Sequence, residues 1–411
     1  MNITSKIVAL SSAVAFALQI ALALLMLRYF SPEEVGVFSV ISQIGFFWTT
    51  LALAQTPLRL LANHGASVFD DARQAWVSSL QRFVWLSPVA ALAVWWSSLS
   101  FVNALLWALL LSLCQLTWML AQSMRLRMAG IWAQAGVRVL PPLMALLVAV
   151  AAVFMQWSGP ALLAAALLGY AVGAAWLLPS LLAYWQAKFD NESTNPNEVA
   201  LSPALEDPSH VAISSVSGDN RSATLRMAHT LADALLATAI VVVWQRMYGP
   251  QETGWMAAPL RVMGFVPAVV HMAWAQVLLA QPQYARTNPL WVGLAGFTCV
   301  TLLGTGCAVA LELGWLGEQW QGVWPYLVPL LIWQGSACLA AAFSHLPFFQ
   351  VRARIYSLRC ITLSASQFLT LFLPPYLFVK MTPELHMLLF ASISGIGLIY
   401  IAFSSWYDHC N

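Results

Sequence analysis

Apolar residues run along this chain in long stretches, and Asp, Glu, Lys and Arg punctuate the gaps between them. None of these four charged types occurs in residues 7–27, 35–58, 83–124 or 139–187. The two longest stretches break at SSLS and at QWSGP, so each holds a pair of segments. A helix crossing the hydrocarbon core needs roughly 20 apolar residues, which gives six spans before residue 188. Six more follow, at about 224–246, 254–280, 289–311, 322–344, 361–379 and 386–406. The first stretch, with Lys6 ahead of it, exceeds the ~7–15 residues of a signal-peptide core, so it reads as a retained span. The pattern predicts an all-α polytopic membrane protein with twelve transmembrane helices in two parallel six-helix lobes around a central cavity. The lobes are residues 1–187 and 222–411. Between them, residues 188–221 are rich in Ser, Asn, Pro and acids and cannot bury enough apolar surface to order themselves, so they read as a flexible cytoplasmic linker.

Composition agrees. Of 411 residues, 60% are hydrophobic and 8% charged, with a mean hydropathy of +0.74, whereas soluble domains carry about 25% charged residues. The net charge of +2 says nothing about nucleic acid and no basic cluster suggests it, so no nucleic-acid partner is expected. The six Cys are scattered with no metal-ligand spacing and read as small buried hydrophobes, with no metal site. Loop cations set the orientation. With the N-terminus in the cytoplasm, the cytoplasmic segments hold 1 + 3 + 3 + 3 + 1 + 3 = 14 Lys and Arg, against three (Arg28, Arg246, Lys380) outside. Both termini are therefore expected in the cytoplasm.

One short sequence is written twice. RYFSPEEVGVFSV begins at Arg28, and QRMYGPQETGWMAA carries Arg246, 218 residues later. In that register Pro32 matches Pro250, Glu34 matches Glu252 and Gly36 matches Gly254. Each copy is expected as the external corner between the first and second helix of a lobe, with Pro and an acid suited to a helix N-terminus. Six helices per lobe insert both copies the same way up, a parallel repeat about the membrane normal.

RYFSPEEVGVFSVISQIGFFWTTLALAQTPL resembles the helix 1–2 region of O-antigen-type polysaccharide flippases, in the multidrug/oligosaccharidyl-lipid/polysaccharide exporter superfamily. MYGPQETGWMAAPLRVMGFVPAVVHMAWAQVLLAQP resembles their helix 7–8 region, with Arg261 and Pro267 in matching places; LALAQTPLRL departs from it where such flippases often carry Gly. The resemblance implies movement of an undecaprenyl-diphosphate-linked oligosaccharide from the cytoplasmic to the periplasmic leaflet of a bacterial inner membrane. It implies alternating access by two lobes around a cationic cavity, with no enzymatic step. Expected partners are that lipid-linked oligosaccharide, membrane lipids, and a polysaccharide polymerase with other assembly proteins.

Ionisable residues at membrane depth are the candidate site, because each costs about 2.5–3.5 kcal/mol to insert. Arg261, about seven residues into helix 8 and hence roughly 10 Å deep, shares a face with Gly264, Ala268, His271 and Ala275 and is the first candidate for the diphosphate. Its register mate is Gln43, so the wall is asymmetric. Arg28 and Arg246 at the external mouth and Arg59 at the cytoplasmic end of helix 2 are further headgroup candidates. On helix 7, His229 and Asp233 share a face with Arg226, and Asp233 and His271 are expected at similar depth as a proton-coupling pair. Each of these residues also has a plain structural reading, as a helix anchor or a packing contact.

Two other functions compete. A cation-coupled drug exporter of the same superfamily needs acids in its spans, and Asp233 is the only acid deep in one. A polysaccharide polymerase or ligase needs reactive groups on a sizeable external loop, and every external connection here is short.

Overall fold

The computed structural model describes residues 3–54, 56–57, 60, 68–127, 131–157, 159–176, 220–271, 274, 288–349, 353–378 and 381–410. Arg59 and nearly all of the expected linker lie outside them; residues 220 and 221 already belong to a helix. The helices are α1 (Ile3–Tyr29), α2 (Pro32–Leu53), α3 (Val68–Trp85), α4 (Ser87–Trp96), α5 (Phe101–Arg127), α6 (Ile131–Phe154) and α7 (Ala161–Ala175) in the N-terminal half. The C-terminal half holds α8 (Asn220–Val270), α9 (Pro289–Glu312), a 3-10 segment (Glu318–Val323), α10 (Trp324–Phe343), α11 (Ala353–Phe372) and α12 (Pro383–Cys410). Among the described residues eight helices are long and apolar enough to cross a membrane, or nine if α3 and α4, bent by 46° at Leu86, form one span. The apolar parts of α1 and α7 are shorter.

Two features differ from the sequence expectation. Residues 68–82, expected as a cytoplasmic connection, continue the third span as amphipathic helix α3, which carries Asp70, Asp71, Arg73 and Arg82. Arg127 anchors it through a 2.6 Å ion pair with Asp71. Second, the corner at Gly249 is a single residue wide: Gly249 takes φ 86° and ψ 177°, and helix resumes at Pro250. We call residues 220–248 α8a and residues 250–270 α8b. The earlier start puts Arg261 11 residues into α8b (261 − 250), about 16 Å from its beginning rather than about 10 Å.

The first corner is made differently. Ser31 caps α2: its Oγ accepts from Glu34 N at 3.2 Å, and Glu34 Oε2 accepts from Ser31 N at 2.9 Å. This reciprocal pair satisfies two of the orphan donors at the helix start. Gly249, at the position of Ser31, has no side chain to cap with, so Glu252 is released for another partner.

The two halves meet chiefly where α2 packs on α8. Val35, Phe38, Ile44 and Trp48 of α2 and Met256, Ala258 and Met263 of α8b belong to one buried cluster. The corners themselves interlock. A Cβ built on Gly36 would run into the carbonyl of Pro250 and lie 3.0 Å from Gly254 N; one built on Gly254 would run into the carbonyl of Pro32. Lipid offers helices no hydrophobic drive to associate, so backbone proximity through small residues is what holds such a seam. The repeated Gly is explained: each copy of the corner is the other's docking surface.

Gly36→Ala is therefore expected to destabilise the protein by ~1–3 kcal/mol, because the obstructing atoms are backbone. Gly306→Ala in α9, where a Cβ meets nothing within 4 Å, is the control and should be neutral or mildly stabilising. Thermal melting in detergent micelles distinguishes the two.

Candidate functional site

The end of the bundle that carries the two corners is cross-tied. Arg28, at the end of α1, donates to the carbonyl of Trp315, in the connection after α9. Arg246, near the end of α8a, donates to Ser98 Oγ, in the connection after α4. These are repeat-related arginines reaching into equivalent connections of the opposite half. The connections also share backbone shape, with Ser98 at φ 63° and Gly314 at φ 67°, each two residues past its helix. Gln319 adds a third tie, donating to Phe30 O at 3.2 Å, and is itself held where Trp255 Nε1 donates to its carbonyl at 2.8 Å. Arg28 and Arg246, expected to meet a headgroup, are engaged here in joining the halves.

Arg261 sits in the seam below this end. Its Nη2 donates to Ser42 Oγ at 3.1 Å, and its guanidinium carbon lies 4.6 Å from the centre of the Phe38 ring. Both partners are on α2, so the arginine of one half is presented to the other. No carboxylate pairs with it among the described residues. A guanidinium over an aromatic face is held in position while its remaining donors stay available. Gln43, next to Ser42, is half-buried in the same wall.

The acid and histidines of the C-terminal half sort differently from expectation. Asp233 bonds within its own helix, with Oδ2 3.0 Å from His229 Nε2, and accepts from Ser364 Oγ of α11 at 3.3 Å. His229 presents its ring edge-on to Tyr356. His271 turns instead to Ser344 at the end of α10, 3.3 Å from Nδ1. The direct hydrogen bonds of Asp233 and His271 thus go to different helices, α11 and α10, while the two stay within electrostatic reach of each other. Asp233 keeps 57% of its side chain exposed, so the pair is accessible rather than sealed.

Sequence reading also missed a buried cluster at the corner end of the C-terminal half. Glu252 Oε2 accepts from the Tyr326 hydroxyl at 2.5 Å, and Trp244 Nε1 donates to that Tyr326 hydroxyl oxygen at 3.3 Å. His386 stacks on Trp244, faces the Tyr248 hydroxyl at 2.9 Å, and donates Nε2–H to Thr370 O at 3.0 Å. The available sign was aromatic residues spaced four apart, Trp244 and Tyr248, directly before the corner.

No family model matches the sequence, and no curated protein matches it. Among solved structures, the chain is similar to the lipid II flippase MurJ in an inward closed conformation, with a TM-score of 0.60 and 10% identity, covering 99% of this chain and 89% of that one. It is also similar to an inward-facing multidrug resistance transporter of the MATE family, in the MOP superfamily, with a TM-score of 0.46 and 12% identity over 100% and 94% of the two chains. At 10% identity the first likeness shows the fold. With its apolar helices, that fold makes this chain a multi-pass helical membrane protein.

Removing both arginine ties should loosen the corner end while leaving the bundle folded. In a cysteine-free background, Ser39→Cys places a thiol one turn below Gly36, where the side chain is buried. Adding Arg28→Ala with Arg246→Ala should raise its labelling rate by a water-soluble maleimide about fivefold, corresponding to a loss of ~1 kcal/mol from two exposed charged hydrogen bonds.

Proposed function

We propose that this protein is a flippase for an undecaprenyl-diphosphate-linked oligosaccharide, with two six-helix lobes and twelve spans, working by alternating access across the α2–α8b seam. The observation that carries the reading is Arg261: a permanent cation between the halves, oriented by Phe38 and Ser42, with no acid to neutralise it among the described residues. A charge at membrane depth is expensive unless it meets a counter-charge. A diphosphate supplies one bidentately, and the lipid tail can stay outside the bundle. The fold shared with a lipid II flippase supports the same class of cargo.

In this reading the corner end faces the periplasm, as the loop cations indicate, and is closed in the structure. Release requires the corners to part. Breaking the ties of Arg28 and Arg246 then exposes two cations at the mouth as the headgroup leaves. Arg59, outside the described residues, keeps its proposed place at the cytoplasmic end. His229 and Asp233 are the proposed coupling pair, with Ser364 of α11 in the position first given to His271. A proton arriving on the pair changes its charge and hence the contact between α8a and α11.

Two experiments test this. Arg261→Ala should abolish surface polysaccharide in a strain depending on the protein, while membrane insertion persists; the loss of charged hydrogen bonds of ~1.5–3 kcal/mol predicts at least tenfold weaker headgroup binding. Normal surface polymer in that variant removes Arg261 from the site. For coupling, Asp233→Asn in proteoliposomes should move lipid-linked oligosaccharide at one rate with or without an imposed pH gradient. A variant that still accelerates under the gradient sinks the coupling assignment.

A further inference from the structure

The two copies of the corner differ in what stands beside their shared glutamate. In the C-terminal half, the Tyr326 ring fills the space next to Glu252 and its hydroxyl donates to the carboxylate; Tyr326 is 1% exposed. In the N-terminal half, the register mate Glu34 borders a cavity of 390 Å³ at the corner end. Tyr326 lies near the start of α10, and near the start of α5 the side chain beside the glutamate's cavity is Asn103. Asn103 is exposed and lines the cavity, which is open at the surface, with exposed Glu33 and Ser100 and buried Phe38 and Leu162.

The walls specify a ligand. The lining is mostly apolar, with hydrogen-bonding groups from Glu33, Glu34, Ser100 and Asn103. Glu34 already accepts from Ser31 N and Oγ, both at 2.9 Å, through Oε2. Both glutamates lie in the first turn of α2, where the helix N-terminus offsets negative charge. What they have left to offer is acceptor capacity more than net charge, which suits hydroxyl donors. The other half displays the matching occupant in Tyr326: a six-membered ring whose hydroxyl donates to the glutamate. One side chain joins this cavity to the cation. Phe38 lines it and lies under the Arg261 guanidinium. Arg261 itself does not line the cavity, so the arrangement suits a hydroxylated ring on one side of Phe38 and an anionic group on the other.

We infer that the cavity bordered by Glu34, Asn103 and Phe38 is a sugar subsite, holding the pyranose next to the diphosphate while Arg261 holds the diphosphate itself. The inference rests on the flippase reading for its cargo. The carboxylates set the polarity of binding: they offer acceptors and no donors, which suits hydroxyls rather than phosphate oxygens and leaves the phosphate to Arg261. The sugar presents its C–H face to Phe38 and Leu162 and its hydroxyls to Glu33, Glu34 and Asn103.

Asn103→Tyr is the direct test, since it puts a phenol into the cavity that Asn103 lines. Binding to the purified full-length protein in lipid nanodiscs is measured for bare undecaprenyl diphosphate and for the same lipid bearing one glucose, galactose or N-acetylglucosamine. The wild-type protein should prefer at least one glycosylated lipid over the bare lipid by about tenfold, the worth of one or two hydrogen bonds to a charged acceptor. Asn103→Tyr should erase that preference and leave the bare lipid's affinity unchanged. Leu162→Trp, which fills the cavity from α7, should do the same and serves if Asn103→Tyr fails to insert. A preference that survives filling, or no preference for any of the three sugars, overturns the inference. So does binding of tetraphenylphosphonium that filling abolishes, which would mark a cation pocket. Arg261→Ala separates the two readings: it should weaken all four lipids equally and keep their ratio. Unchanged binding of bare lipid in Arg261→Ala would fail the diphosphate assignment, with the sugar ratio still reporting on the cavity.

Discussion

Gly36 and Gly254 each place bare backbone against the carbonyl of the opposite corner's proline, and the arrangement of the two halves follows from that contact. Only a residue without a Cβ permits such an approach, and it is needed twice because the contact is reciprocal. Once the corners are interlocked, α2 and α8b must run side by side. That alignment brings Phe38 and Ser42 under Arg261. It also brings Arg28 and Arg246 within reach of the opposite half's connections. The interface is strong in shape and weak in charge, since its arginine ties are exposed. Such a seam is suited to parting and closing again.

The spacing of charged residues made most helices legible, because a helix that must cross lipid has its length and polarity dictated by the bilayer. The breaks at SSLS and QWSGP match the gaps between α4 and α5 and between α6 and α7. Helix α3 was not legible, since its charges made an extension of the third span look like a loop; the ion pair of Asp71 with Arg127 and the hydrogen bond of Arg82 to Thr56 show what two of them hold. The duplicated corner could be read as a repeat, but not as an interface. Its partner lies 218 residues away in sequence, and nothing local says that Gly36 will face Pro250. At Asp233, counting residues gave the depth that puts His271 within electrostatic reach of it, but not the direct hydrogen bonds to His229 and Ser364, because depth does not say which neighbouring helix a face meets.

The positions where the two corners agree and disagree carry different kinds of work. Pro32 and Pro250, Gly36 and Gly254, and Arg28 and Arg246 agree, and each pair makes equivalent contacts across the seam. These are mechanical parts, and a two-fold arrangement needs two of each. Gln43 against Arg261 and Ser31 against Gly249 disagree. A second arginine at position 43 would place like charge beside Ser42, the residue that orients Arg261. At low dielectric that repulsion would cost more than a cargo with a single diphosphate could return. On the proposed function, a linear cargo has a head and a next residue and cannot use two identical sites at once. Symmetric corners with an asymmetric lining would then answer two demands on a duplicated bundle: the copies stay alike where the halves dock on each other, and diverge where the proposed cargo's ends would be told apart.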